Sequence, residues 1–433
     1  MKLLADRMKN LGSENAFKVG DDIRICEQMG MKVIRFNLGE PDFNSADHIN
    51  KTAIDHILKG NSHYCPPAGI ESLRKAIARQ VSETRHIDVD PECVVVTTGA
   101  KPPISYSLMT YVNPGEEVVY PSPGFPIYES WITYIGAKPV PLHLEEKKGF
   151  SFSADDLKKL INRKTKLIFI NSPSNPTGGV LSKAELSSIA AVIREKCNPN
   201  VRIYSDEVYE HIIFDGLGHH SIASQPEMKE KTILVSGHSK SFAMTGWRLG
   251  YAILPSRDEA AIFKNLNINN ISCTPPFIQE AGREAIENPC SNNVISKMTA
   301  EFETRRNYVV KALNSIDGLT CAMPKGAFYV FPNISGVCEN LGVLDAYRKL
   351  PKKVAEKTSE STLFQKFLLY RYGVATMDRR SFGKIGSKGK HFIRISTATS
   401  LELLQKGIAK IEEAARDQKG FTAFMRKAEH QYL

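Results

Sequence analysis

The chain predicts an α/β architecture: a mostly parallel seven-stranded sheet covered by helices, joined to a smaller α+β domain. Three observations carry this expectation. Between about residues 70 and 255, short runs rich in Val and Ile alternate with longer amphipathic stretches, the pattern of strands joined by crossover helices. Several of those runs are apolar on successive residues, as expected where helices cover both faces of a sheet. After residue 290 the alternation gives way to a long helical pattern and two short strands, and 433 residues exceed one ordinary domain.

The strands follow in order as CVVVTTG (93–99), EEVVYPSP (116–123), KPVPLHL (138–144), KLIFINSP (166–173), VRIYSDE (201–207), TILVSGHS (232–239) and RLGYAILP (248–255). Between them, ESLRKAIARQVSE (71–83) and KAELSSIAAVIREKC (183–197) repeat apolar residues every three or four positions, the helical period. Further on, EFETRRNYVVKALNSI (301–316) reads as a helix, GAFYVFPNI (326–334) and KHFIRISTAT (390–399) as strands, and LELLQKGIAKIEEAARDQ (401–418) as the closing helix. The sequence thus divides into a large domain over 46–300 and a small domain formed by 1–45 with 301–433. MKLLADRMKNLG at the start is expected to pack against the small domain. The Lys-rich stretch 335–361 reads as an excursion within the small domain, and it and the tail after Asp417 read as solvated surface.

The 57 Lys and Arg against 47 Asp and Glu give +10, spread without a dense basic block, which favours small anionic ligands over nucleic acid. Neither a signal peptide nor a membrane span is legible, so a cytoplasmic protein is expected. The eight cysteines contain no C-x-x-C pair and read as reduced thiols, with no metal site.

Ligands of open α/β sheets bind outside the carboxyl ends of the strands, and four such ends carry unusual groups. Gly99, Ala100 and Lys101 follow the first strand and form either a plain tight turn or a phosphate-holding one. NSPSNPTGG (171–179) forces an irregular loop with the Asn175 amide at its centre. Asp206 ends YSD, with Tyr209 just beyond; the carboxylate is either a helix cap or a buried anion for a cationic ring nitrogen. Ser239, Lys240 and Arg248 follow another strand. Lys240 is either a solvated lysine or, desolvated between small residues and an apolar run, a nucleophile for an aldehyde. Together these groups suggest a phosphorylated aldehyde cofactor.

From about Val33 to about Ile411 the sequence resembles a fold-type-I pyridoxal 5′-phosphate enzyme, a class I/II aminotransferase of the aspartate aminotransferase superfamily. The resemblance rests on NLGEPDF (37–43), HYCPPAGIESLRKAI (63–77), TTGAK (97–101), PSPGFPIY (121–128), NSPSNPTGG (171–179), SDEVY (205–209), SKSFAMTGWRLGY (239–251) and FIRIS (392–396). It implies that Lys240 attaches to the cofactor aldehyde and later carries the substrate Cα proton, and that Asp206 pairs with the ring nitrogen. Tyr209 and Asn175 match the groups that bond the cofactor's ring oxygen, and Phe125 matches an aromatic stacked on the ring. The phosphate falls to Gly99, Ala100, Lys101, Ser239, Arg248 and, from a second subunit, Tyr64, so a homodimer with shared sites is implied. Arg394 matches the arginine that takes the substrate α-carboxylate, with Gly39 and Asn175 beside it.

The implied reaction moves the amino group of an L-amino acid to a 2-oxo acid by a ping-pong cycle. No arginine lies between Arg257 and Arg283, where one branch of the family binds a distal carboxylate. Lys101 falls where another branch uses a lysine, which favours aspartate or glutamate. An aromatic or broad substrate range, or an elimination or oxidation on the same scaffold, stays open. Two departures stand out: Gly237 replaces a common phosphate-binding serine, and DRRSFG (378–383) replaces P-G-x-x-F-G beside the substrate pocket, an exchange expected to reshape specificity.

Overall fold

The computed structural model describes residues 3–12 and 15–431. A short strand β1 (Ile34–Arg35) precedes β2 (Val94–Thr97), β3 (Glu117–Ser122), β4 (Lys138–His143), β5 (Thr165–Asn171), β6 (Arg202–Asp206), β7 (Thr232–Gly237) and β8 (Gly250–Ile253). The last seven form one sheet in the order β2-β8-β7-β6-β5-β3-β4, with β8 antiparallel to both neighbours and the other pairings parallel. Every residue of β2, β3, β7 and β8 is buried. The unbroken apolar runs have this cause: one face packs Val95, Val118, Phe169 and Tyr204 under one helical layer, the other packs Val119, Ile168 and Ile203 under a second.

The helices start where the sequence offers a donor-satisfying residue. Ser182 and Glu185 form a reciprocal cap at the start of Lys183–Lys196. Pro102 and Pro126 open Pro102–Tyr111 and Pro126–Tyr134, where a missing N–H costs nothing.

The smaller part is an antiparallel sheet of β9 (Tyr329–Val330), β11 (Met377–Asp378) and β12 (Ile393–Ser396), beside β10 (Val374–Ala375) paired in parallel with β1. Helix Cys290–Asn314 begins well before the expected 301. Its Val309 and Leu313 join Phe364, Phe367, Ile393 and Ile411 in one core.

Three expectations need correction. The opening segment lies on the large sheet's side: Gly12 N–H donates to Ser130 Oγ (2.9 Å) and Thr133 Oγ1 to the Asn10 carbonyl (3.0 Å), both on helix Pro126–Tyr134. The stretch 335–361 is not solvated surface, because it folds into helices Ser335–Leu341, Val343–Arg348 and Lys352–Ala355. Its apolar minority, Val337, Cys338, Leu341, Val343 and Leu350, is buried in the small core while the lysines face out. The tail forms a further helix, Gln418–Gln431, whose Phe421 packs on Phe367 at 5.4 Å between ring centroids. Among the described residues no helix is long and apolar enough to cross a membrane.

Candidate active site

A cavity of about 610 Å³ opens at the carboxyl ends of the parallel strands and is roofed by residues of β9, β12 and the Leu38–Glu40 loop. Its lining includes Gly39, Ala100, Lys101, Phe125, Asn175, Asp206, Tyr209, Ser239, Lys240, Arg248 and Arg394. Groups up to 355 positions apart in sequence, Gly39 to Arg394, therefore meet in one space.

Asp206 is the last residue of β6 and is buried. Its carboxylate accepts the Tyr128 hydroxyl, and its main-chain carbonyl accepts Asn171 Nδ2 at 3.1 Å. Burial outweighs the hydrogen bonds from Tyr128 and Val208 and pushes the carboxyl up to about 6. The next residue behaves oppositely. Glu207 is equally buried, yet His219 and Arg85 overcome the burial and hold it at about 2.

Arg85 sits beneath this strand end, donating to Glu207 Oε2 from Nε and Nη2 (3.1 and 2.9 Å) and pairing also with Glu210. Glu210 in turn accepts Ser236 Oγ at 2.6 Å, from the end of β7. One guanidinium thus clamps the ends of two neighbouring strands, those that carry Asp206 and lead into Lys240.

Lys240 lies on the one-turn helix His238–Ser241 directly after β7, and its ammonium donates to the Gly39 carbonyl. It stands 5.9 Å from the Tyr209 ring centroid and 5.7 Å from that of Phe328. The Tyr209 hydroxyl shares a 2.8 Å hydrogen bond with the Tyr329 hydroxyl. Arg248 adopts a left-handed φ of 57° and donates to the Thr245 carbonyl at 2.6 Å. Gly99 abuts that guanidinium rather than lining the cavity, and its φ of +85° explains the glycine. The departure at Gly237 also has a steric cause: a Cβ there would stand 3.0 Å from the Leu249 carbonyl oxygen.

Arg394 projects from β12 and is buried. Nη1 donates to Asn175 Oδ1 (3.0 Å) and Nη2 to the Asn37 carbonyl (2.6 Å), while Nε has no partner among the described residues. The guanidinium carbon lies 4.4 Å from the Tyr329 ring centroid and 5.0 Å from that of Phe382. Lys101 is exposed at the rim, its ammonium 5.7 Å from the centre of the Phe125 ring.

Four more of the singled-out residues lie outside the cavity lining of this chain. Tyr64 is 90% exposed and outside the cavity. Asp378, Arg379 and Arg380 do not line it either. Asp378 caps the turn Arg379–Phe382, and Arg380 donates to the Thr358 carbonyl at 2.9 Å. Sequence reasoning missed Tyr128 and Tyr329. Tyr128 stands one helical turn after Phe125, a spacing that faces both toward one side. Tyr329, in a short strand of apolar neighbours, carried no such signal.

The cavity thus brings together a buried acid, an amine and an arginine stacked on two rings. The sequence profile of the family "Aminotransferase class I and II" matches residues 31–411, and the chain belongs to that family. It is similar to the aspartate aminotransferase of Pyrococcus abyssi, 38% identical over 90% of this chain and 94% of the relative. It is also similar to aromatic-amino-acid aminotransferase 2 of Thermococcus litoralis, 35% identical over 96% of this chain and 99% of the relative. The solved aspartate aminotransferase of Rhizobium meliloti superposes with a TM-score of 0.85 at 32% identity, covering 96% and 99% of the two chains. The chain is an aminotransferase of the aspartate aminotransferase-like kind.

Proposed function

We propose that the cavity holds pyridoxal 5′-phosphate and moves the amino group of an acidic L-amino acid, aspartate or glutamate, to a 2-oxo acid. The observation that carries this reading is Asp206: a carboxylate buried at the end of β6, lining the cavity and accepting the Tyr128 hydroxyl, which burial raises to about 6. A cationic ring nitrogen is the partner such a group lacks. When bound, the cofactor supplies a cationic ring that draws electrons from the substrate Cα.

The protein's own groups then divide the work. Lys240 is the residue that would hold the cofactor aldehyde, and its amine would serve as the general base for the substrate Cα proton. Asp206 keeps a proton on the ring nitrogen. Tyr209 and Asn175 donate toward the ring oxygen, and Phe125 covers the ring face. The backbone of Ala100 and Lys101, with Ser239 and Arg248, would hold the phosphate beside the turn at Gly99, with Tyr64 contributed by a second copy in a homodimer. Arg394, with its unpartnered Nε, grips the α-carboxylate beside Gly39. Lys101 at the rim selects a second carboxylate on the donor. Eight free thiols suit a reducing cytoplasm.

The test is the absorbance of the cofactor-loaded enzyme with aspartate, glutamate, alanine and phenylalanine in separate cuvettes. Loss of the long-wavelength band with acidic donors alone is expected. Equal bleaching by phenylalanine replaces the acidic reading with a broad one. A change unaccompanied by 2-oxo acid product rejects transfer.

A further inference from the structure

We propose that Arg379 is a positioning residue for the carboxylate site: by tying the carbonyls of Phe382 and Gly383 to Ser122, it keeps the Phe382 ring against Arg394. The inference rests on the reading above, that Arg394 takes the substrate carboxylate.

Strands β11 and β12 pair with Met377 opposite Arg394, so the chain leaves β11 into Arg379 directly beside the arginine of the site. The turn Arg379–Phe382 is capped by Asp378, whose Oδ1 accepts Ser381 N–H at 3.0 Å. Arg379 is buried, 2% exposed. Its Nη1 donates to the Phe382 and Gly383 carbonyls (3.3 and 3.1 Å), and its Nη2 to Ser122 Oγ (2.9 Å) at the end of β3.

The nearby carboxylates are engaged elsewhere. Glu129 accepts the Tyr120 hydroxyl (2.6 Å) and the N–H groups of Lys384 and Ile385 (3.0 and 3.3 Å). Asp378 accepts Ser381 and Thr362 hydroxyls. Among the described residues Arg379 therefore makes no ion pair. Burial lowers its guanidinium to about 10, which leaves it protonated at neutral pH.

Burying a charge against carbonyls and a hydroxyl alone is an unfavourable way to close a turn, for which small residues suffice. What the arginine adds is reach. It links a loop of the smaller part to the large sheet, and the residue it holds, Phe382, faces Arg394 at 5.0 Å. Gly124 N–H donates to the same Phe382 carbonyl at 3.1 Å, next to Phe125. With Tyr329 at 4.4 Å, Arg394 has two rings within cation–π range, and its plane is fixed before a carboxylate arrives.

The experiment uses the cofactor-loaded enzyme and the variants Arg379→Met, Arg379→Lys, Phe382→Leu and Arg394→Lys. KM and kcat are measured for aspartate and alanine, and maleate binding by calorimetry. Arg379→Met is expected to raise both KM values and the maleate Kd about tenfold, between the scales of an exposed and a desolvated cation–π contact. Its kcat stays within about twofold, since the interaction lost binds ground state and transition state alike. Arg379→Lys recovers part of the loss, and Phe382→Leu reproduces it. Phe382→Leu combined with Arg379→Met adds little, as expected for residues acting through one contact.

A maleate Kd within about twofold of the parent in Arg379→Met, even with a lowered Tm, overturns the proposal. If that variant does not fold, an unchanged Kd in both Arg379→Lys and Phe382→Leu overturns it equally. Should Arg394→Lys raise the Kd while none of the others does, only the role of Arg379 falls. Should Arg394→Lys change nothing, the carboxylate reading falls, and this proposal with it.

Discussion

The two halves of the cavity are built differently. The half proposed to hold the cofactor consists of strand ends: Asp206 closes β6, Lys240 stands three residues past β7, and Asn175 four past β5. Beneath it, Arg85 is matched by the carboxylates of Glu207 and Glu210. The half proposed to hold the substrate carboxylate is assembled from Gly39, Tyr329 and Arg394, three separate segments, and Arg379 beneath it meets carbonyls and a hydroxyl. A parallel sheet with buried, ion-paired ends fixes groups to the backbone. Side-chain stacking across segments fixes them less rigidly. On the proposed reading the first half governs whether the reaction runs, and the second which molecules enter.

The largest effect tests that division outright. Lys240→Ala removes both the covalent anchor and the base, and turnover is expected to fall by about 10⁴-fold, with the long-wavelength band lost. Arg394→Ala is expected to keep the band and raise KM instead. If Lys240→Ala retained the band and substantial turnover, the assignment of the two halves would be wrong.

A smaller effect sharpens the contrast within the strand-end half, between neighbouring acids. In the cofactor-free chain Asp206 is raised from an ordinary 3.8 to about 6, so the protonated folded form is favoured. Its contribution is fully present below the unfolded value and is lost as pH rises through about 6, a loss of about 3 kcal/mol. Glu207, lowered from 4.5 to about 2, contributes above its unfolded value and loses that contribution only as pH falls toward 2. Urea unfolding of the cofactor-free protein between pH 4 and 7, against Asp206→Asn, should show the wild type losing stability relative to the variant. Parallel curves would mean that Asp206 already has a cationic partner.

The same division explains what was legible in the sequence. Strand ends are contiguous text: SDEVY holds an apolar strand and the acid that ends it, and SKSFAMTGWRLGY holds the lysine and Arg248. Strands β2, β3, β5, β6, β7 and β8 were legible because burial on both faces leaves nearly unbroken apolar runs, whereas in the edge strand β4 only Leu142 is buried. Partners set by tertiary packing were not. Tyr128 meets Asp206 78 positions away, Tyr329 meets Tyr209 120 away, and Arg85 meets Glu207 122 away. The stretch 335–361 misled because charge dominates its composition, while five spaced apolar residues decide its packing. The first residues misled because nothing local says which surface a short terminal helix meets.

The smallest expected effect concerns the rim. Lys101 is a single flexible charge over an aromatic ring, exposed to water, and such a group discriminates weakly. Lys101→Ala should lower kcat/KM for aspartate and glutamate about tenfold and leave alanine and phenylalanine within about twofold. Raising the salt concentration should shrink the difference between acidic and neutral donors in the wild type and not in the variant, because an exposed charge is screened while Arg394, buried between rings, is not. An equal loss for all four donors would move Lys101 into the cofactor half of the cavity, as a phosphate contact, and leave the choice of donor to the shape of the pocket around Arg394.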